Sequence, residues 1–100
     1  MKITFSSVFE SDFTEIITYF SSEVSPEVSL RFENRAIQTV ELIALTPESG
    51  RRRKDLKPGN LRSLRVEGFE NYLIFYLVRA EDVLVVRIFH GAMDLSSMFF

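Results

Sequence analysis

Residues 61–90 read LRSLRVEGFENYLIFYLVRAEDVLVVRIFH, and this stretch decides the fold. Apolar and polar side chains alternate over 61–66, with Arg62, Leu64 and Val66 on one side and Leu61, Ser63 and Arg65 on the other. Residues 72–78 are apolar on both faces, as in a strand buried from two sides. A third run, 83–89, is broken only by Arg87. A turn over 68–71 and another at Glu81-Asp82 separate the three. Short turns between consecutive strands predict an antiparallel meander.

Upstream the period changes. Ile3 and Phe5 alternate with Lys2 and Thr4, a short first strand. Phe9, Phe13, Ile16, Ile17 and Phe20 then repeat at helical spacing and predict a helix over 8–21. Ser7 and Glu10 have the spacing of a capping box at its start. Ser25-Pro26-Glu27 opens a second helix, with a cap, a proline at the first helical position and an acid at the positive end of the dipole. Val28, Phe32, Ala36, Val40 and Ile43 form its apolar line, and Thr46-Pro47 with Gly50 ends it. The expected fold is α+β: strand, helical hairpin, then three strands in one twisted sheet, with the hairpin on one face. One hundred residues fit one such domain, spanning 1–100. The loop over 50–60 is expected to be irregular, with Gly50, Pro58 and Gly59 as breakers.

The charge is uneven. Residues 1–50 carry three bases against eight acids, residues 51–65 seven bases against one acid, and residues 66–100 two against five. A block of +6 therefore sits inside a chain of net charge −2. Such a block fits a polyanion or an acidic protein partner; a solvated loop balancing acidic helices is the plainer alternative.

Composition excludes several chemistries. With no Cys there is no disulfide scaffold, thiolate metal site or cysteine nucleophile, and with one His no two-histidine metal site. No cofactor or metal is expected. No run approaches the roughly 20 apolar residues of a membrane span. The N-terminus lacks the pattern of a secretory signal, so a cytoplasmic location is expected. His90 reads as a structural residue at a strand end, bonded to backbone or to Asp94, and no nucleophile-elbow pattern surrounds a Ser. Lys57-Pro58-Gly59-Asn60 is not a P-loop. Metal-independent RNA cleavage stays open, because Arg62, Arg87, His90 and the tyrosines supply charge and proton-transfer groups.

Four pieces together carry a resemblance: residues 46–51 (TPESGR), 58–64 (PGNLRSL), 72–76 (YLIFY) and 86–95 (VRIFHGAMDL). In this order and spacing, over about residues 3–96, the chain resembles the ParE/RelE toxin superfamily of bacterial type II toxin–antitoxin systems, on the ParE side. The resemblance implies an inhibitor of DNA gyrase that traps the topoisomerase on cleaved DNA and is neutralised by a cognate antitoxin in a hetero-oligomer. RelE-like relatives share the fold but cut messenger RNA on the ribosome. They usually place Arg after the Tyr of the central strand and after the strand-end His, and a Tyr in the tail. Here those two positions are Leu73 and Gly91, and residues 91–100 contain no Tyr. Met93 also stands where ParE-like chains often carry Arg.

The resemblance thus implies a toxin that acts by binding, not as an enzyme, and no catalytic residue is assigned. Its expected surface for the target or for nucleic acid is Arg51, Arg52, Arg53, Lys54, Arg62, Arg65, Arg87 and His90. Met98, Phe99 and Phe100 are expected to meet the antitoxin. The alternatives are a RelE-like nuclease using Arg87, His90 and Tyr72, and a non-toxic relative that only pairs with an antitoxin.

Overall fold

The structure is a computed structural model that describes residues 1–93 and 95. It contains β1 (Lys2–Phe5), α1 (Ser7–Glu23), α2 (Pro26–Leu45), a 3-10 turn (Pro47–Ser49), β2 (Arg51–Arg52), β3 (Arg62–Val66), β4 (Phe69–Val78) and β5 (Asp82–His90). The strands form one sheet in the order β1-β5-β4-β3-β2. The expected α+β class and the antiparallel β3-β4-β5 meander are present.

Three details depart from expectation. The cap of α1 is Ser6, not Ser7: the Phe9 amide donates to its hydroxyl at 2.9 Å. That hydroxyl also donates to the Val86 carbonyl at 2.6 Å, so one side chain caps the helix and ties it to β5. The first β-turn is tighter, with Val66 paired to Phe69 and Gly68 at φ +84°. Glycine tolerates that conformation without steric penalty, and β4 therefore begins at Phe69 rather than 72. The basic loop also contains a strand, because Arg51 and Arg52 pair with Ser63 and Arg62.

β1 lies parallel to β5, Lys2 opposite Asp82 and Phe5 opposite Val85. The helical hairpin carries the chain from β1 at one edge of the sheet to β2 at the other, and the meander then returns it to β5 beside β1. It buries its stripe on one sheet face with Val66, Ile74, Tyr76, Val83, Val85 and Ile88. Phe32 is fully buried there, its ring 5.1 Å from each of Phe20, Phe69 and Tyr72. Aromatic residues of this size dominate core burial.

The opposite face has a second, smaller core of Phe75, Phe89, Leu61 and Leu56. The basic loop folds back over it: the Arg53 amide donates to the Leu61 carbonyl at 2.7 Å. Strand alternation assigns the β3–β5 side chains to the helix face or to the loop face, and it is reset where the register shifts, between Arg65 and Val66 and between Phe75 and Tyr76.

Candidate anion-binding cleft

The loop face holds a cleft of about 510 Å³ walled by Ser49, Arg51, Arg53, Ser63, Arg65 and Leu73, with Leu95 beside it. Register explains the grouping. Arg51 is opposite Ser63, Ser63 opposite Phe75, and Arg65 opposite Leu73. Arg51, Ser63 and Arg65 thus occupy one face of the β2–β3 edge, with Arg51 and Arg65 on diagonal positions. Both are exposed, and among the described residues neither forms an ion pair.

Arg53 behaves differently. It is only 5% exposed. Its guanidinium donates to both Asp55 carboxylate oxygens, at 3.1 and 2.8 Å, and to the Ser63 hydroxyl at 3.2 Å. It also lies 5.6 Å from the centre of the Phe75 ring. These bonds hold the Asp55 carboxyl at about pKa 2, well below the ordinary carboxylate. Arg53 is a strut between loop and sheet that brings its charge to the cleft floor.

Of the other expected site residues, Arg52, Lys54 and Arg62 stand apart, whereas Arg87 and His90 line one hollow with Tyr72 beside α1. Arg52 is exposed opposite Arg62, and Lys54 is exposed on the loop. Arg62 shares the parity of Leu64 and Val66, and donates to the Glu48 and Gly50 carbonyls at 3.2 and 2.8 Å. It steadies the 3-10 turn. Arg87 donates through Nε and Nη2 to Asp12 at 3.0 and 2.8 Å, and its pKa is raised chiefly by that bond. His90 lies on the helix face against Tyr72, with ring centres 5.1 Å apart, and its Nδ1 accepts from the Ala92 amide at 3.0 Å. Met98, Phe99 and Phe100 lie outside the described residues, as does the expected Asp94 partner of His90.

The cleft therefore gathers Arg51, Arg53 and Arg65 but not Arg62, Arg87 or His90. Ser49, Ser63 and Leu73 join it unannounced by the charge pattern, although alternation along β3 and β4 aligns Ser63, Arg65 and Leu73. The sheet separates the sole imidazole from the cleft. No cluster of acids and histidine suited to a metal ion occurs among the described residues. Two exposed guanidinium groups with hydroxyls nearby have the chemistry that pairs with oxyanions.

The glycine heading β2 shapes this surface. The Tyr76 hydroxyl accepts from the Gly50 amide at 2.8 Å and donates to the Pro47 carbonyl at 2.7 Å. A Cβ at Gly50 would stand 2.5 Å from that hydroxyl oxygen. The close approach fixes where β2, and hence Arg51, begins.

Comparison with known proteins gives this fold and surface a class. Residues 3–95 match the family described as the ParE toxin of the type II toxin–antitoxin system parDE. The chain belongs to that family. A 64-residue segment, 64% of the chain, is 34% identical to Toxin ParE3 of Caulobacter vibrioides and spans 60% of that relative's length. The fold superposes on a structure of the chromosomal ParDE toxin–antitoxin system from P. aeruginosa with a TM-score of 0.76 at 17% identity, covering 90% of this chain and 95% of that one. Among the described residues no helix is long and apolar enough to cross a membrane.

Proposed function

We propose that this ParE-family chain is a cytoplasmic toxin that inhibits DNA gyrase by binding, without catalysis of its own, and that a cognate antitoxin neutralises it in a hetero-oligomer. One observation carries the non-catalytic reading: the cation that shares a hollow with His90 and Tyr72, Arg87, is tied to Asp12 by two hydrogen bonds, and the exposed cations of the cleft lie on the other face of the sheet. A nuclease needs a proton-transfer group beside the phosphate its cations hold. Leu73 occupies the cleft wall where a RelE-like enzyme usually has Arg, which supports the same reading.

Arg51, Arg52, Lys54 and Arg65 supply the charge that would meet DNA or an acidic surface of the gyrase–DNA complex. Arg53 and Arg62 position the elements that carry them. For the antitoxin, the hairpin offers an apolar groove of about 170 Å³ lined by Phe5, Phe9, Phe13, Ala36, Ile37 and Val40. An amphipathic helix is the natural occupant of such a groove. Met98, Phe99 and Phe100 extend the proposed antitoxin contact. The deciding experiment is supercoiling by purified gyrase with the toxin in excess. Dose-dependent loss of supercoiling, reversed by the antitoxin, is expected; unchanged supercoiling sinks the proposal.

A further inference from the structure

At the end of the sheet that carries His90, two adjoining hollows share Tyr19, Tyr72 and His90. The first, about 240 Å³, runs between α1 and the end of β5 past Glu15 and Ile16. The second, about 480 Å³, opens toward Gly68, Glu70 and Asn71. Together they form a groove whose shared middle is aromatic. Tyr19 is half exposed. The Tyr72 ring is braced by Phe20 at 5.6 Å, Phe32 at 5.1 Å and His90 edge-on at 5.1 Å. A ring so supported is already in place for a ligand and loses little freedom on binding.

The charge around it is mainly negative. α1 contains Glu10, Asp12, Glu15 and Glu23 and no Lys or Arg. The cation in the groove, Arg87, is bound to Asp12 by two hydrogen bonds, so its charge is already matched. Glu15, within electrostatic range of Arg87, adds a further carboxylate on the wall of one hollow, and Glu70, which accepts from the Gly68 amide, stands on the wall of the other. Aromatic rings flanked by carboxylates favour a cation, and a planar guanidinium more than an ammonium because it can also stack. The same aromatic cluster already seats one guanidinium, that of Arg31, 5.7 Å from the centre of the Phe69 ring. An acidic ligand would be drawn instead to the cleft on the other face.

We propose that this groove seats an arginine side chain from a basic segment of a protein partner, stacked on Tyr19 and Tyr72 with Glu15 as counter-charge. The site is independent of the gyrase reading, because it uses the opposite sheet face and the opposite charge. Burial and the neighbouring Tyr19 raise the pKa of Tyr72, so its hydroxyl stays neutral when the cation arrives.

The test titrates the full chain with a capped hexapeptide of alanine and two arginines, followed by calorimetry and by the aromatic NMR signals of Tyr19, Tyr72 and His90. Saturable shifts at these three rings are expected. Tyr19→Ala and Glu15→Gln, both on the outer side of α1, should each weaken binding by about two- to fivefold. A hexapeptide with lysines in place of the arginines should bind less well, and one with glutamates should leave the rings unmoved. Thermal unfolding of each variant confirms that the fold is intact. Absence of binding, equal affinity for the lysine peptide, unchanged affinity in both variants, or ring shifts caused by the glutamate peptide would each overturn the proposal. Failure of the supercoiling assay alone would not affect it.

Discussion

Asp12 of α1 accepts two hydrogen bonds from the Arg87 guanidinium and a third, at 3.3 Å, from the Ile88 amide of β5. β1 pairs with β5 only as far as Val85, so beyond that point no strand among the described residues covers the outer edge of β5. Asp12 takes over there, and one carboxylate joins helix to sheet and occupies an otherwise open amide. Its side chain is 10% exposed and that of Arg87 18%. Replacing Asp12 by Ala takes a doubly bonded carboxylate from a largely buried guanidinium, which should destabilise the fold by about 3 kcal/mol. Urea denaturation measures this. The Asp12→Ala/Arg87→Ala double variant should lose less than the two single changes added together, with a coupling of about 1 kcal/mol or more.

Gly50 and Tyr76 make a second prediction. The Gly50→Ala methyl would meet the Tyr76 ring at 2.8–2.9 Å as well as its hydroxyl. Because the ring is fully buried, the backbone must yield. A loss of about 1–3 kcal/mol is expected, typical of overpacking. Tyr76→Phe should not rescue it, since the ring carbons still collide and the Gly50 amide loses its acceptor. Thermal melts of the two variants and their combination test this.

Much of the architecture is legible in the sequence because the relevant forces are local. The Ser25-Pro26-Glu27 start holds, with the Val28 amide donating to the Ser25 hydroxyl at 3.1 Å. The apolar runs of β4 and β5 announce a strand pair buried on both faces. The missed features depend on distant partners. Arg51 and Arg52 have no strand-like alternation, and they become a strand only because β3 offers its edge. Nothing in residues 2–5 says that their partner begins at Asp82. Ser6 outcompetes Ser7 as the cap because its hydroxyl also finds Val86. At the site, the charge block is plain in the sequence, but which of its cations turns inward is not. Asp55, two residues after Arg53, is the one local hint of that inward turn.

Acid sensitivity should follow from two carboxylates. Asp55 is held at about pKa 2 by its bonds from Arg53. Asp82 is held at about 2 by Arg79 first and Thr4 second, with bonds of 2.6 and 2.7 Å. Both values lie below the unfolded carboxylate near 3.8. The stability these groups contribute is fully present above about pH 4 and is lost as pH falls toward 2. Asp55 is exposed, and Arg79, the partner of Asp82, is half exposed, so the effect should be small and weaken in salt. The Asp55→Asn/Asp82→Asn variant should show a shallower loss of denaturation midpoint between pH 4 and pH 2. An unchanged slope would mean that other acids govern this limb.

The last prediction separates the two roles within the basic block. Arg51 and Arg65 are exposed and unpaired among the described residues, so Arg51→Ala/Arg65→Ala should change stability by no more than about 0.5 kcal/mol per site. If the cleft meets a polyanion, the same variant should weaken binding to the gyrase–DNA complex and flatten its salt dependence, because two fewer counterions are released. Arg53→Ala should do the reverse. It removes the guanidinium set over the Phe75 ring and leaves the buried Ser63 hydroxyl without the bond from Arg53, at a cost of about 2 kcal/mol. Arg53→Lys should recover little of that, since an ammonium cannot bridge both Asp55 oxygens and Ser63 with one rigid fork. Denaturation midpoints and gyrase titrations on the same preparations test both halves. A large stability loss from the Arg51/Arg65 change, or undiminished binding at low salt, would show that the cleft is not the charged contact.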